Sequence, residues 1–128
     1  MYTPPDYFQV DELLNDEQKI VRSSIRDWVD RSVKPIIEEH AQNHTFPHHL
    51  LKEMGEIGAF GPFIPEKYGG AGMDYISYGV IMTELERGDS SVRSAASVQT
   101  SLVMYPICDF GSEEQRIKTD FRSYGNYR

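Results

Sequence analysis

The chain holds a single cysteine, Cys108, among its 128 residues. One thiol rules out an internal disulfide and suits a reducing compartment. With no basic neighbour in sequence, Cys108 reads as a buried inert thiol rather than a nucleophile. No apolar run approaches the roughly 18 residues that a membrane-spanning helix needs. Met1 to Asp16 contains neither Lys nor Arg and no apolar signal core, so neither a secretory leader nor an arginine-rich transit peptide is expected. Basic residues are also outnumbered: 13 Lys and Arg stand against 20 Asp and Glu, a net charge of −7. Phosphate binding is driven by Lys and Arg contacts, so nucleic acid is not expected as a partner. The acidic excess is spread out and favours solubility. Together these absences point to a cytoplasmic protein, or to a mature protein of an organelle such as the mitochondrial matrix.

What is present describes one domain of ordinary size. With 39% hydrophobic and 26% charged residues, the chain can form a core without metals or disulfides, burying roughly two-thirds of its unfolded surface. Residues 1–14 read as an arm, interrupted by Pro4 and Pro5, whose Tyr2, Tyr7 and Phe8 could pack on the body. A helix follows, capped by Asn15 or Asp16, with Val21, Ile25, Trp28 and Val29 in one apolar stripe. Pro35 should break or restart it. Pro47 fits the first position of a further helix, with Leu50, Leu51, Met54 and Ile57 inward and Gly58 at its end. Residues 61–72, with two prolines and four glycines, can only be a loop. Another helix runs from an Asp74 cap to Arg87, lined by Tyr78, Ile81, Met82 and Leu85 and stopped by Gly88. A helix from Asp89 or Ser90 to about Ile107 carries Ala95, Val98, Leu102 and Val103 around much of its girth, which predicts a central position. Pro106 should kink or terminate it. Ser112 with Gln115 forms a capping box for a last helix. No strand pattern or internal repeat appears, and the expected fold is all-α, an antiparallel helical bundle.

Chemistry concentrates where the central helix begins, in DSSVRSAASVQTS. Arg93 lies in the first turn, where the helix dipole disfavours a cation. Ser97 is four residues on, sharing its face, and Ser94 lies beside them. Two readings stand. Arg93 pairs with Glu86 or Asp89 as a surface salt bridge worth at most about 1 kcal/mol, or the guanidinium and free helix N–H groups form a carboxylate or phosphate site. Both can hold at once if Glu86 orients an arginine that also takes a ligand. The glycine-rich PEKYGGAG loop matches neither the P-loop nor the dinucleotide fingerprint and reads as a connection. His40 and His44 have a helical metal-binding spacing, but Asn43 and Thr45 end the helix there, no third ligand has matching spacing, and no metal site is expected.

The residues Pro65, Glu66, Tyr68, Gly69 and Gly70, the helix ending ELERGDSS, and the run Gly111 to Gln115 together resemble the N-terminal helical domain of acyl-CoA dehydrogenases. Within that family, Arg93-Ser94-Ala95 with Ser97, Val98, Gln99, Ser101, Leu102, Val103 and Met104 is similar to glutaryl-CoA dehydrogenase. The likeness covers roughly residues 14–118, with 15–118 as the domain and 119–128, TDFRSYGNYR, as a tail that does not match.

The resemblance implies that Arg93 receives the distal carboxylate of glutaryl-CoA, that Ser97 and Ser94 add hydrogen bonds, and that Glu86 holds the guanidinium. Val98 and Leu102 would border the acyl chain, or else belong to the core. It also implies FAD as cofactor in the complete enzyme, and α,β-dehydrogenation with or without decarboxylation. Family members continue into a β-domain that covers the flavin and a C-terminal helical domain that supplies the catalytic glutamate. The expectation is therefore a truncated or frame-shifted chain, inactive alone, with no catalytic residue of its own and unassigned flavin contacts. Two rivals are a related enzyme with another acyl-CoA substrate and a non-catalytic helical module that associates with itself or a partner.

Overall fold

The computed structural model describes residues 7–119 and 121, and every described element is helical. After a short 3-10 turn at Val10–Leu13 come α1 (Asp16–Trp28), α2 (Lys34–Gln42), α3 (His49–Glu56), α4 (Tyr75–Gly88), α5 (Ser90–Ser97), α6 (Tyr105–Phe110) and α7 (Glu113–Thr119). The all-α expectation holds. In the arm, Tyr7 and Phe8 are 85% and 89% exposed, so they do not pack on the body; Leu14 is the residue there that turns inward. Tyr2 lies outside the described residues.

Asn15 caps α1 through a complete capping box, accepting from the Gln18 N–H at 2.8 Å while the Gln18 side chain accepts from Asn15 N–H at 3.0 Å. Gln18 also donates to Asp74 at 2.7 Å, and Asp74 caps α4 by accepting from Ser77 N–H at 2.6 Å. Two helix starts are thus tied together. The stripe read from α1 is real: Ile25, Trp28 and Val29 are buried and meet Leu50, Met54, Ile81, Leu85, Val92 and Ala96 in the main core.

Pro35 does not break the path of the chain. Residues Val29–Val33 form a wider π turn, in which Lys34 N–H reaches back five residues to the Val29 carbonyl, so α1 and α2 run on through it. Pro106 follows a second wide segment, Val98–Met104, ending with Tyr105 N–H on the Thr100 carbonyl. In both places the extra residue per turn comes just before a ring that has no N–H and would clash with the carbonyl four residues back. Pro47 stands two residues before α3 and is buried. Gly58, at φ +75°, closes α3 with a Schellman pair, its own N–H on Gly55 O at 3.2 Å and Ala59 N–H on Met54 O at 2.9 Å. Ile57 is 36% exposed and contributes less to the core than its spacing suggests.

α4 stops at Gly88, as expected, but not through a left-handed glycine turn. Gly88 is the last helical residue, and the chain reverses at Asp89, which is extended at φ −167°. Asp89 caps α5, accepting from Ser91 N–H at 2.8 Å and Val92 N–H at 3.3 Å. A Cβ at Gly88 would come within 2.6 Å of Val29 Cγ1, so the glycine is there for close approach of α4 to the first wide turn. Nor is the α5 path buried all round. Val92, Ala96, Thr100 and Met104 face inward at every fourth residue, while Val98 and Leu102 are 49% and 69% exposed.

Candidate functional site

The Asp89 reversal lays the end of α4 beside the first turn of α5. Glu86 and Arg93, seven residues apart, are thereby brought into contact: Arg93 Nε donates to Glu86 Oε2 at 2.6 Å. Arg93 Nη1 donates to Ser97 Oγ at 3.3 Å, and the Ser97 hydroxyl donates to the Ser94 carbonyl at 3.2 Å. Ser94 therefore takes part through its carbonyl oxygen. Asp89, the other predicted partner of Arg93, caps α5 instead.

Ser90 was not foreseen. Its hydroxyl donates to Glu86 Oε1 at 2.6 Å, so the two oxygens of this α4 carboxylate are held by two different side chains of α5. The signal was present, because Ser90 follows Glu86 by four residues, but a helix break between them makes that spacing unreliable. Arg93 first and Ser90 second hold the Glu86 carboxyl below the usual carboxylate range. The salt-bridge reading is met by this geometry, and the same contacts orient the arginine as the ligand-binding reading would require. An open depression of about 410 Å³ borders the pair, lined by Met82, Thr83, Glu86 and Arg93. Met82 and Thr83 lie one turn before Glu86, and they too were missed as neighbours of the arginine.

Chemically, the arrangement offers a cation whose direction is fixed on two sides. An arginine has five N–H donors in a planar fork. Glu86 takes the Nε hydrogen and Ser97 one on Nη1, leaving the other donors for a second planar anion. The Arg93 side chain is about one-third exposed, at 35%.

The glycine-rich loop provides no phosphate cradle. Gly69 N–H bonds Glu66 O at 2.9 Å, Gly72 N–H bonds Ile64 O at 3.0 Å, and Met73 N–H bonds Pro62 O at 2.9 Å. A cradle needs such donors free. The loop is pinned to the helices by Gly61 N–H on the Thr100 hydroxyl at 3.0 Å and by the Tyr68 hydroxyl on Glu113 at 2.7 Å. With these donors spent within the chain, this loop does not fit a flavin diphosphate. His40 Nδ1 lies 2.9 Å from Thr45 Oγ1, and His44 sits in a turn at φ +54°, off the helix face that a metal pair would need. Burial pushes the Cys108 thiol above its ordinary range.

Residues 15–119 match the family model described as acyl-CoA dehydrogenase, N-terminal domain. The chain is 36% identical over 103 residues to the bovine (Bos taurus) mitochondrial short-chain specific acyl-CoA dehydrogenase, covering 80% of this chain and 25% of that one. An acyl-CoA dehydrogenase of Bacillus subtilis is 38% identical over 105 residues, 82% of this chain and 28% of its own length. Among solved structures, glutaryl-CoA dehydrogenase from Mycobacterium smegmatis in complex with FADH2 superposes with a TM-score of 0.87 at 38% identity, covering 98% of this chain and 32% of that one. The chain thus spans about a quarter to a third of the length of these relatives.

Proposed function

This chain belongs to the acyl-CoA dehydrogenase family, whose N-terminal domain it carries, and from that premise we propose that it is the substrate-binding part of an FAD-dependent dehydrogenase acting on glutaryl-CoA. The observation that carries the substrate is the Arg93 guanidinium, steered by Glu86 and Ser97 on a part-exposed side chain that lines the open depression. A carboxylate at the far end of an acyl chain meets the guanidinium with paired, charge-assisted hydrogen bonds. An uncharged chain offers nothing in exchange for the water it displaces, so the site discriminates by charge. Val98 and Leu102, exposed one and two turns further along, border the apolar part of the acyl chain in this reading.

FAD, when bound in the complete enzyme, accepts the hydride. The residues described here do the recognising: they hold one end of the substrate, while the base and the flavin contacts belong to the wider family fold. The chain by itself is therefore expected to be inactive. Its surroundings, on this reading, are the cytoplasm or the mitochondrial matrix, consistent with bacterial and mitochondrial relatives. The absence of any helix long and apolar enough to cross a membrane among the described residues agrees with that.

The decisive experiment replaces Arg93 by Ala in a full-length enzyme carrying this domain. Turnover of glutaryl-CoA should fall roughly 10- to 100-fold relative to butyryl-CoA, the range of a lost charged hydrogen bond. Equal losses on both substrates would show that the residue serves structure and that another acyl-CoA is the substrate. For the chain alone, anaerobic glutaryl-CoA should leave added FAD oxidised; bleaching of the flavin would overturn its inactivity.

A second reading, a helical module that associates with itself or a partner, draws on the exposed apolar side chains Val98, Leu102, Phe110 and Ile117. Light scattering separates it from the first. Concentration-dependent dimers or larger species that Leu102→Glu abolishes would support association; a monomer at all concentrations would remove it.

A further inference from the structure

The Glu86 carboxylate is divided between two donors. Oε2 accepts from Arg93 Nε at 2.6 Å and Oε1 from the Ser90 hydroxyl at 2.6 Å. Carboxylates beside arginine favour a two-point fork in which both oxygens meet the guanidinium. Such a fork on the Nε edge would engage Nη2 as well and shrink the face left to a ligand. Here the serine withholds one oxygen from it.

We propose that Ser90 is a positioning residue of the carboxylate site: by holding Glu86 Oε1 it keeps the Glu86–Arg93 pair at a single point and leaves the Nη edge of Arg93 free to take the ligand's carboxylate. The inference rests on Arg93 as the carboxylate receptor. Ser90 is the first residue of α5, just after the Asp89 reversal, so its hydroxyl is set by the same turn that brings Glu86 and Arg93 together. Ser97 holds Arg93 from the other side through Nη1, so the guanidinium plane is steered from both ends. Without Ser90, the Glu86 carboxylate turns about its terminal bond and closes on the guanidinium. The enzyme's own glutamate then competes with the substrate for the same donors.

The test uses the full chain, with glutarate as the probe and glutaramide as the uncharged control, followed through the Arg93 side-chain NMR signals. Ser90→Ala should weaken glutarate binding about fivefold, the size of one hydrogen bond's net contribution, and Ser90→Thr, which keeps the hydroxyl, should restore it. In a Glu86→Ala background the Ser90→Ala effect should vanish, because the serine acts only through that carboxylate. Equal binding by Ser90→Ala and the unaltered chain, or the same loss with Glu86 absent, overturns the proposal. Arg93→Ala marks the separate failure: if it leaves glutarate binding intact, the carboxylate-receptor reading falls. Should the unaltered chain not bind glutarate, that reading also falls, and Ser90 is judged on the Arg93 signals alone. Slower exchange of the Nη hydrogens with water in Ser90→Ala then supports the closing of the fork, and unchanged exchange refutes it.

Discussion

Glu84 is 1% exposed and carries a carboxylate, two facts that coexist only because two arginines meet it. Arg26 reaches its two oxygens at 2.5 and 3.0 Å, and Arg87 Nε donates to Oε2 at 2.8 Å. Burial alone pushes such a carboxyl upward, and the Arg26 and Arg87 hydrogen bonds outweigh it, so Glu84 ends below its ordinary range. Asp30 extends the chain of charge, accepting from Arg87 at 3.0 Å and Lys34 at 2.7 Å. Glu84 and Glu86 are two residues apart on α4 and do opposite things: the first clasps α1, the second faces the open site. Replacing Glu84 by Gln should lower the free energy of unfolding by roughly 2 kcal/mol, less than for a fully buried pair because Arg26 and Arg87 can turn to water. A urea titration of the chain measures it, and an unmoved midpoint would show that the clasp adds nothing to stability.

At the scale of the element, α4 contains two glycines whose roles are opposed. Gly88 lies against Val29, where a Cβ would stand 2.6 Å from Cγ1, whereas a Cβ on Gly79 meets nothing within 4 Å. Helix propensity favours alanine at both by about 1 kcal/mol. Only at Gly79 can that gain appear. Gly79→Ala should stabilise the chain by roughly 0.5–1 kcal/mol, while Gly88→Ala should destabilise it by about 1–2 kcal/mol as α4 is forced off the wide turn. Paired thermal melts check the signs, and Val29→Ala should relieve the second. Stabilisation by both alanines would show that the contact yields easily. The wide turns before Pro35 and Pro106 are element-scale devices too. Each absorbs a proline without ending the helical path, so α5, the second wide turn and α6 follow one another without a gap from Ser90 to Phe110.

The molecule as a whole is acidic and holds several carboxylates below their ordinary range. Hydrogen bonds lower Asp30 through Lys34 and Arg87, Asp74 through Ser77, and Glu86 through Arg93, beside the buried Glu84. A carboxyl lowered by folding contributes stability that is fully present above its unfolded value, about 4, and is lost as pH falls through the folded one. The chain should therefore keep its stability from neutrality down to about pH 5 and lose it progressively below about pH 4. Urea midpoints measured across that range follow the loss; a midpoint that rises on acidification would contradict it. Substitution of Glu84 by Gln should also flatten the profile, since the most buried of these groups no longer titrates.

The amino-acid sequence by itself determined the helical class, the capped starts of α1, α4, α5 and α7, and the family. Those features are local: Asn15, Asp74, Asp89 and Ser112 cap through neighbours two or three residues away, and the stripe from Val21 to Val29 needs only a period. The candidate site was half legible for the same reason, since Arg93 and Ser97 are one turn apart on one helix. Tertiary structure decided the rest. Whether Val98 and Leu102 were core or surface depended on which side of a widened helix met α4, and a π turn shifts the face that a regular period predicts. Gly88 looked like only a stop until Val29 was found against it, a contact between residues 59 positions apart. The Ser90–Glu86–Arg93 arrangement required the single extended residue Asp89, because one reversal of backbone brought two donors at the start of α5 to a carboxylate at the end of α4.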